Sequence, residues 1–403
     1  MQPSPQPDPL LGAVLDSRYR VDTTIAGGGM STVYRGLDLR LDRAVALKVM
    51  DSRYAGDQHF LTRFQREARA AAGLKSPGLV AVYDQGIDGR HPFLVMELIE
   101  GGTLRELLRE RGPMPPHAAV AVLAPVLAGL AVAHEAGLVH RDIKPENVLI
   151  SDAGEVKVAD FGLVRAVAEA KITSTSVILG TAAYLSPEQV GTGDADPRSD
   201  VYSVGILAYE LLTGDTPFTG DNPLTVAYQR LDHDVPPPSS AIAGVPKQLD
   251  DLVACATARD PAERYTDAQD MGAELAAIVE QLQLPPFRVP APQNSAQHSA
   301  LATKRTRQPA SERTTVSTDR AAPPKPAPSH TLQFTMDPDE WNPAPNENPV
   351  VAKQFAGIDL EDFEWARQRA RRMLLVWVIV ILTLTALVAA GAWTLGSNLQ
   401  GLF

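Results

Sequence analysis

Two short polar stretches carry the side chains whose types and spacing could do chemistry. The first is residues 139–149, in which Asp142, Lys144 and Asn147 stand between apolar pairs, and the second begins at Asp160. A carboxylate such as Asp142 can accept a proton from an attacking hydroxyl, while Asn147 and Asp160 can hold Mg²⁺ through hard oxygens. With Lys144 to neutralise a transferring phosphate, this combination suits phosphoryl transfer.

The residues between the two stretches indicate that they lie side by side. Residues 152–154 read as a tight turn, and residues 156–158 alternate as a short strand that leads into the second stretch. We therefore expect a hairpin that joins two acidic loops. A polar loop between strands would be the ordinary explanation for either stretch alone, but the two at this spacing favour a catalytic site.

A glycine-rich turn and an inward-facing lysine precede these stretches. Residues 19–25 alternate as a strand and lead into the glycines 27–29, which let the backbone close over phosphates and present N–H donors. Residues 43–50 alternate as a second strand that points Lys48 inward, and Glu67 lies in a segment with helical spacing of its apolar residues. Each feature alone has an ordinary explanation, a plain hairpin for the glycines and a solvated edge residue for Lys48.

Composition and charge narrow the class of protein. The chain has 403 residues, of which 44% are hydrophobic, so it can hold a two-lobed globular domain with additions. The net charge is −11, and the acidic excess falls in residues 1–284, which argues against nucleic-acid binding by that part. The single cysteine, Cys255, excludes an intramolecular disulfide, and its apolar neighbours indicate a buried helical thiol.

Taken in order, the motifs of residues 10–284 resemble those of protein kinases. The stretch around Asp142 resembles the catalytic loop, Asp160 opens an Asp-Phe-Gly motif, and Lys48 stands in a strand similar to Val-Ala-Ile-Lys. The whole chain is similar to bacterial transmembrane serine/threonine kinases of the Hanks type, and its catalytic region to the PknB-like group. The resemblance implies a kinase that transfers the γ-phosphate of ATP to Ser or Thr of proteins, in signalling.

The resemblance also implies the role of each catalytic residue. Asp142 orients the substrate hydroxyl and accepts its proton, while Lys48, paired with Glu67, positions the α- and β-phosphates of ATP. The implied cofactors are ATP and Mg²⁺ or Mn²⁺, with Asn147 and Asp160 as the metal ligands.

The expected ATP site lies around a glycine-rich loop and a hinge. Met96 is expected at the back of the adenine site, the backbone of Glu97 and Ile99 is expected to hydrogen-bond adenine, and Ala46 is expected to pack on its face. The full set of expected ATP contacts is Ile25, Ala26, Gly27, Gly28, Gly29, Met30, Ser31, Thr32, Val33, Ala46, Lys48, Met96, Glu97 and Ile99.

The glycine-rich loop departs twice from the family pattern. Ala26 stands at the first glycine and Ser31 at the third, while Gly28 and Val33 match. We expect Ala26 to stiffen the loop. It is the one support for an alternative of another class, a pseudokinase that acts as a membrane-tethered scaffold, and the intact catalytic residues speak against that alternative.

The segment between Asp160 and Glu188 is rich in Ser and Thr and resembles a kinase activation segment. Thr173 and Thr175 align with the twin threonines that PknB-type kinases phosphorylate on themselves. A phosphate there adds nearly two negative charges, and Arg141 is placed to bind it through a bidentate contact.

Further residues match positions that hold a kinase site together. The resemblance implies that Asp200 holds the backbone of the catalytic loop and that Glu188 pairs with Arg264. Thr181 matches a threonine that contacts the catalytic Asp and Lys, and together with Lys144 it favours serine/threonine over tyrosine specificity.

The expected fold is α+β, with a mainly antiparallel five-stranded N-lobe over a helical C-lobe and ATP in the cleft between them. The kinase domain is expected at residues 10–284, with the N-lobe at about 10–98 and the C-lobe at about 103–284. Residues 1–9 are expected to be disordered.

The C-terminal part changes character. Residues 285–358 are rich in proline and poor in aromatic residues, which predicts a disordered linker. Residues 359–372 form a basic juxtamembrane segment, and the uncharged run 373–395 would span about 35 Å as a helix, enough to cross a bilayer. Arginines on its N-terminal side place the kinase in the cytoplasm and residues 396–403 outside.

This layout predicts a single-pass protein of the cell membrane. Its expected partners are protein substrates, ATP, the lipid bilayer and a second copy of itself for autophosphorylation in trans. Nucleic acid is not an expected partner of the kinase domain.

Overall fold

The computed structural model describes residues 8–161, 183–220 and 223–298, together with the backbone of 354–355 and 358–359. The expected activation-segment sites Thr173, Thr175 and Thr181 and the expected membrane span 373–395 lie outside these residues.

The N-lobe is an antiparallel sheet in the order β1-β2-β3-β4-β6-β5. One strand more is present than the five expected, because Asp16 and Ser17 adopt left-handed φ values of 48° and 52° and turn the chain back on itself. The strands are β1 (Val14–Leu15), β2 (Tyr19–Gly27), β3 (Ser31–Asp38), β4 (Arg43–Met50), β5 (Val82–Asp88) and β6 (His91–Met96).

One amphipathic helix, α1 (Gln58–Ala72), packs against this sheet. Asp57 caps it by accepting hydrogen bonds from two backbone N–H groups, and Phe60 and Phe64 bury the face that meets β4 and β6. Asp8, which the sequence placed in a disordered segment, accepts a hydrogen bond of 2.8 Å from the Tyr34 hydroxyl of β3.

The C-lobe is built around α5, of which every residue from Ser199 to Leu212 is buried. The helices are α2 (Leu104–Arg111), α3 (Pro116–Glu135), α4 (Pro187–Gly191), α5 (Pro197–Thr213), α6 (Pro223–Asp232), α7 (Pro238–Ala241), α8 (Lys247–Ala256) and α9 (Ala268–Leu282). Among the described residues, α3 is the one helix with the length and apolar composition of a membrane span, but it is mostly buried in the lobe. Cys255 is half-buried on α8, and burial raises the pKa of its thiol.

A second antiparallel sheet joins the lobes. It consists of β7 (Gly101–Thr103), β8 (Val148–Ser151) and β9 (Val156–Val158), and β8 and β9 form the hairpin expected from the sequence. Val158 exchanges backbone hydrogen bonds with Gly78 and Val80, at 2.8 Å and 2.9 Å, which ties this hairpin to the segment after α1.

The packed part of the chain extends beyond the expected domain end at residue 284. Residues 285–298 lie along the C-lobe, and Val289 in this segment is only 2% exposed within the C-lobe core. The expectation of a disordered linker from residue 285 is therefore wrong for this stretch, because a proline-rich segment without a core of its own can still dock on a preformed surface. Farther on, β10 (Gln354–Phe355) pairs antiparallel with β11 (Ile358–Asp359).

Candidate active site

Asp142 is held by two neighbours from its own loop. The Nζ atom of Lys144 lies 2.9 Å and 2.7 Å from the two carboxylate oxygens, and Asn147 Nδ2 donates to the Asp142 main-chain oxygen at 2.7 Å and to Oδ2 at 3.1 Å. Asp142 is 8% exposed. A short 3₁₀ turn, Pro145–Asn147, brings Asn147 back to the aspartate. The carboxylate is therefore fixed by charge and hydrogen bonds at the surface of the cleft.

The backbone of this loop is anchored from below by Asp200, which is fully buried in the first turn of α5. Its Oδ2 accepts from the N–H of His140 and its Oδ1 from the N–H of Arg141, both at 2.7 Å, and His134 Nε2 lies 2.9 Å from Oδ2. Arg141 adopts a left-handed φ of 71°, a strained conformation for a residue with a side chain. Asp200 thus stands where the resemblance to kinases implied.

The second acidic stretch is tied directly to the first. His140 Nε2 lies 2.8 Å from the carbonyl of Ala159, and the N–H of Ala159 donates to the carbonyl of Asn147 at 2.8 Å. The ring of Phe161 meets His140 edge-on at 4.6 Å. Asp160 itself has a φ of 68°. The two acidic loops lie side by side, as the hairpin predicted.

Lys48 reaches Asp160 from the N-lobe. Its Nζ lies 2.9 Å from Asp160 Oδ1, and this contact spans the cleft between β4 and the second acidic loop. Burial opposes ionisation of Asp160, but the charge of Lys48 outweighs it and lowers the pKa of the carboxyl.

The expected ion pair between Lys48 and Glu67 is not formed, although both residues are described in the structure. Glu67 is buried on α1, and the Lys48 ammonium is instead paired with the Asp160 carboxylate. The predicted pairing was wrong for this conformation. Two carboxylates, Asp160 and Glu67, are candidate partners for Lys48, and the sequence does not record the position of α1, which carries Glu67.

The end of the cleft at which adenine was expected is lined by apolar residues. Ala46 of β4 and Met96 of β6 are paired across the sheet and are buried in the same cluster as Ile99. Glu97 turns its side chain away to Lys157 Nζ at 2.7 Å, and its N–H donates to the Ala81 carbonyl at 2.8 Å. The N–H of Glu97 is therefore already used, so an adenine contact from the Glu97 backbone would have to come from its carbonyl.

The glycine-rich loop closes the top of the cleft as the β2–β3 turn. Ala26 pairs with Val33 and Gly27 with Thr32, and Gly28 N–H donates to the Ser31 carbonyl at 2.9 Å. None of residues 25–33, all of which the structure describes, has a positive φ, so Ala26 sits without strain. A Cβ added to Gly27 or Gly29 would meet nothing within 4 Å. The space next to Gly27 and Gly29 is therefore open.

The oxygens at the base of the cleft fit a hard divalent cation. Both hydrogen bonds of the Asn147 side chain use its nitrogen, which leaves its Oδ1 as a ligand, and Asp160 contributes a carboxylate. One or two protein oxygens completed by phosphates is the usual manner of holding Mg²⁺. No cluster of three or more His, Cys, Asp or Glu residues that could hold a metal alone occurs among the described residues.

The far end of the activation segment is secured by a buried ion pair. Arg264 Nη1 and Nη2 each lie 2.9 Å from one carboxylate oxygen of Glu188, and the Ser199 hydroxyl donates to the same carboxylate at 2.6 Å. Burial opposes ionisation of Glu188, but the hydrogen bonds from Arg264 and Ser199 outweigh it and lower the pKa of Glu188.

Sequence reasoning missed a second charged cluster beside the catalytic loop. Arg105 of α2 contacts Glu146 at 2.8 Å, Glu210 of α5 at 2.5 Å and the Tyr184 hydroxyl at 2.6 Å, and the Tyr184 hydroxyl also donates to Glu210. Glu146 lies in the catalytic stretch, but Arg105 and Glu210 are 105 positions apart and belong to no shared motif. No local signal could have joined them.

With this geometry, comparison with known proteins identifies the family. A model of the protein kinase domain matches residues 19–275. The chain belongs to the protein kinase family. It is 68% identical over 399 residues, 98% of each chain, to the serine/threonine-protein kinase PknL of Mycobacterium tuberculosis. It is 45% identical over 269 residues to PknB of Mycobacterium leprae, which covers 66% of this chain and 43% of that protein.

Solved structures agree with the two-lobed fold. The kinase domain of Mycobacterium tuberculosis PknI superimposes with a TM-score of 0.53 at 26% sequence identity, over 66% of this chain and 98% of that one. The chain is thus a PknB-like serine/threonine protein kinase that resembles PknL, which confirms the family and the enzyme class expected from the sequence.

Proposed function

We propose that this kinase transfers the γ-phosphate of Mg-ATP to Ser and Thr of proteins and of its own chain, in signalling, while a C-terminal helix holds it at the membrane. The observation that carries the catalytic part is the double restraint on Asp142, from Lys144 and Asn147. A carboxylate fixed in this way can orient a hydroxyl without reorganising during the reaction.

Each residue of the site has its own role in phosphoryl transfer. Asp142 accepts the hydrogen bond and then the proton of the substrate hydroxyl, and Lys144, already in contact with it, lies where negative charge develops. Asp200 keeps the loop backbone in place by holding two N–H groups. When bound by Asn147 and Asp160, the metal ion would neutralise charge on the transferred phosphate.

The scaffold alternative depended on Ala26. In the structure Ala26 has ordinary extended backbone, paired with Val33, and the space above Gly27 and Gly29 is open. Ala26 is therefore accommodated in the loop without backbone strain, which removes the one support for the scaffold alternative.

Transfer of radiolabel from ATP by the full chain tests the catalytic part. Asp142→Asn should reduce the rate by several orders of magnitude while the melting temperature stays close to wild type, because Asp142 acts through charge and position. Asp194→Asn is a matched control, since Asp194 is exposed and its described hydrogen bond uses only its backbone N–H. Near-wild-type transfer by Asp142→Asn would rule out its assignment as the base.

The membrane part rests on the uncharged run 373–395 and the arginines before it. Cytoplasmic arginines near anionic lipid add about 1 kcal/mol each to the attachment. Self-phosphorylation is proposed at Thr173 and Thr175, on the alignment with PknB-type kinases, and it proceeds in trans because tethering concentrates the kinase in the plane of the membrane.

A further inference from the structure

Residues 285–298, which we call the docked strap, run from the end of α9 across the C-lobe. Phe287 meets the ring of His117 on α3 at 5.2 Å, and Arg288 Nε donates to the Ala153 carbonyl at 2.9 Å in the β8–β9 turn. Val289 is buried in the lobe's core. The first half of the strap is thus fixed to the hairpin that leads into the catalytic site.

The second half of the strap binds helix α2 through carboxylates. Glu110 accepts from the N–H of Gln293 at 3.0 Å and from that of Asn294 at 2.6 Å, while Glu106 accepts from the N–H of Ala296 at 2.8 Å. Glu106 also forms the capping box of α2 with Thr103. The strap therefore contacts Glu106, one of the two residues of the capping box at the start of α2.

The strap also braces the hinge between the lobes. A Cβ added to Gly102 would lie 2.4 Å from Pro292 Cγ and 2.7 Å from the Cβ of Ser295, which is 1% exposed, so the strap lies directly against the hinge backbone. Asp152 of the β8–β9 turn contacts both the hinge and the strap. Its N–H donates to the Glu100 carbonyl of the hinge at 2.7 Å, and its Oδ1 lies 3.3 Å from His298 Nε2 of the strap.

We propose that the docked strap positions the hinge, residues 97–102, and through it the nucleotide cleft. The same hinge supplies Glu97 and Ile99 to the expected adenine site, so a change in its position changes the nucleotide contacts. This inference rests on the proposed use of ATP. Because coupling between two binding events is reciprocal, nucleotide binding must in turn stabilise the docked strap.

Replacement of Ser295 in the full chain tests the coupling. Ser295→Asp places a carboxylate in a closed site beside Glu106 and Glu110, where like charges repel it, and this should release the strap. We expect the KM for ATP to rise about fivefold or more with kcat within twofold of wild type, which is the size of effect that allosteric coupling commonly produces. Ser295→Ala removes the hydroxyl, which accepts a hydrogen bond from the N–H of His298 at 3.1 Å, but it introduces no charge, so its KM should rise much less than that of Ser295→Asp.

A second variant, Glu110→Ala, tests the same coupling in case Ser295→Asp fails to fold. Glu110→Ala removes the acceptor of two strap N–H groups from a partly solvated helix face, and it should raise the KM for ATP in the same direction. Glu135→Ala is its matched control, because Glu135 is an exposed glutamate near the end of another helix. Loss of kcat at unchanged KM in both strap variants would point to a merely structural role and overturn the inference.

Hydrogen exchange of the full chain provides the reciprocal readout. A non-hydrolysable ATP analogue should slow amide exchange in residues 293–298 of the wild type, and the slowing should be lost in Ser295→Asp. If wild-type exchange in this stretch does not respond to the analogue, the strap is not coupled to the cleft. Failure of the wild type to turn over ATP would instead remove the proposed function itself, and the two failures are therefore distinguishable.

Discussion

The ion pair between Glu188 and Arg264 should be a major contributor to the stability of the C-lobe. The side chain of Arg264 is fully buried and that of Glu188 is 18% exposed, and the contact is bidentate. In Glu188→Gln the shape of the side chain is kept, but the buried guanidinium loses its counter-charge. Removing one partner of a buried ion pair lowers the free energy of unfolding by about 3–5 kcal/mol. We expect a loss of about 3 kcal/mol here because Glu188 retains some solvent contact.

The pH dependence of this loss provides a second, independent signature. The folded-state pKa of Glu188 lies below its ordinary value of 4.5, so the stabilisation is fully present above that value. It is lost as the pH falls through the folded-state pKa, because the protonated wild-type side chain then resembles the glutamine variant. The difference in stability between wild type and Glu188→Gln should therefore be constant near neutral pH and shrink under acid conditions.

Thermal and urea unfolding monitored by circular dichroism would measure both effects. For a domain of this size about 3 kcal/mol corresponds to a fall in Tm of roughly 6–12 °C. Lys247→Met is the matched control, since it breaks an i,i+4 pair with Asp251 in which both side chains are well exposed, and its Tm should stay within error of wild type. A variant as stable as this control, or a gap that persists unchanged into acid, would refute the reasoning.

Three further outcomes are expected. Arg105→Ala should destabilise the domain by about 3 kcal/mol in urea unfolding, because Glu210 is left buried without its cation, and wild-type stability would contradict this. Deletion of residues 366–403 should leave a soluble, active kinase on fractionation, and a deletion that remains in the membrane pellet would indicate another anchor. Replacement of both Thr173 and Thr175 by Ala should slow substrate transfer well below wild type. Mass spectrometry should find both threonines phosphorylated in the wild type. Full activity of the double variant would exclude regulation through these two sites.

The sequence by itself determined the elements whose residues are close along the chain. Asp142, Lys144 and Asn147 lie within one loop, so their mutual contacts follow from a single short turn. The hairpin after this loop follows from a tight turn between two alternating segments, and it places Asp160 beside the loop. For the same reason the helical segment around Glu67 was predicted, since the spacing of its apolar residues is a local signal, and the structure shows it as α1.

Only the tertiary structure decided which of several possible partners each distant charge meets. Lys48 pairs with Asp160 and not with Glu67, and Arg105 joins Glu210. Such choices depend on how α1, α2 and α5 pack, which no spacing in the sequence records. The docked strap was missed for a related reason. Its proline-rich composition predicts that it cannot fold alone, and this is consistent with its docking, because its order comes from surfaces on α2, α3 and the β8–β9 turn that exist only once the C-lobe has formed.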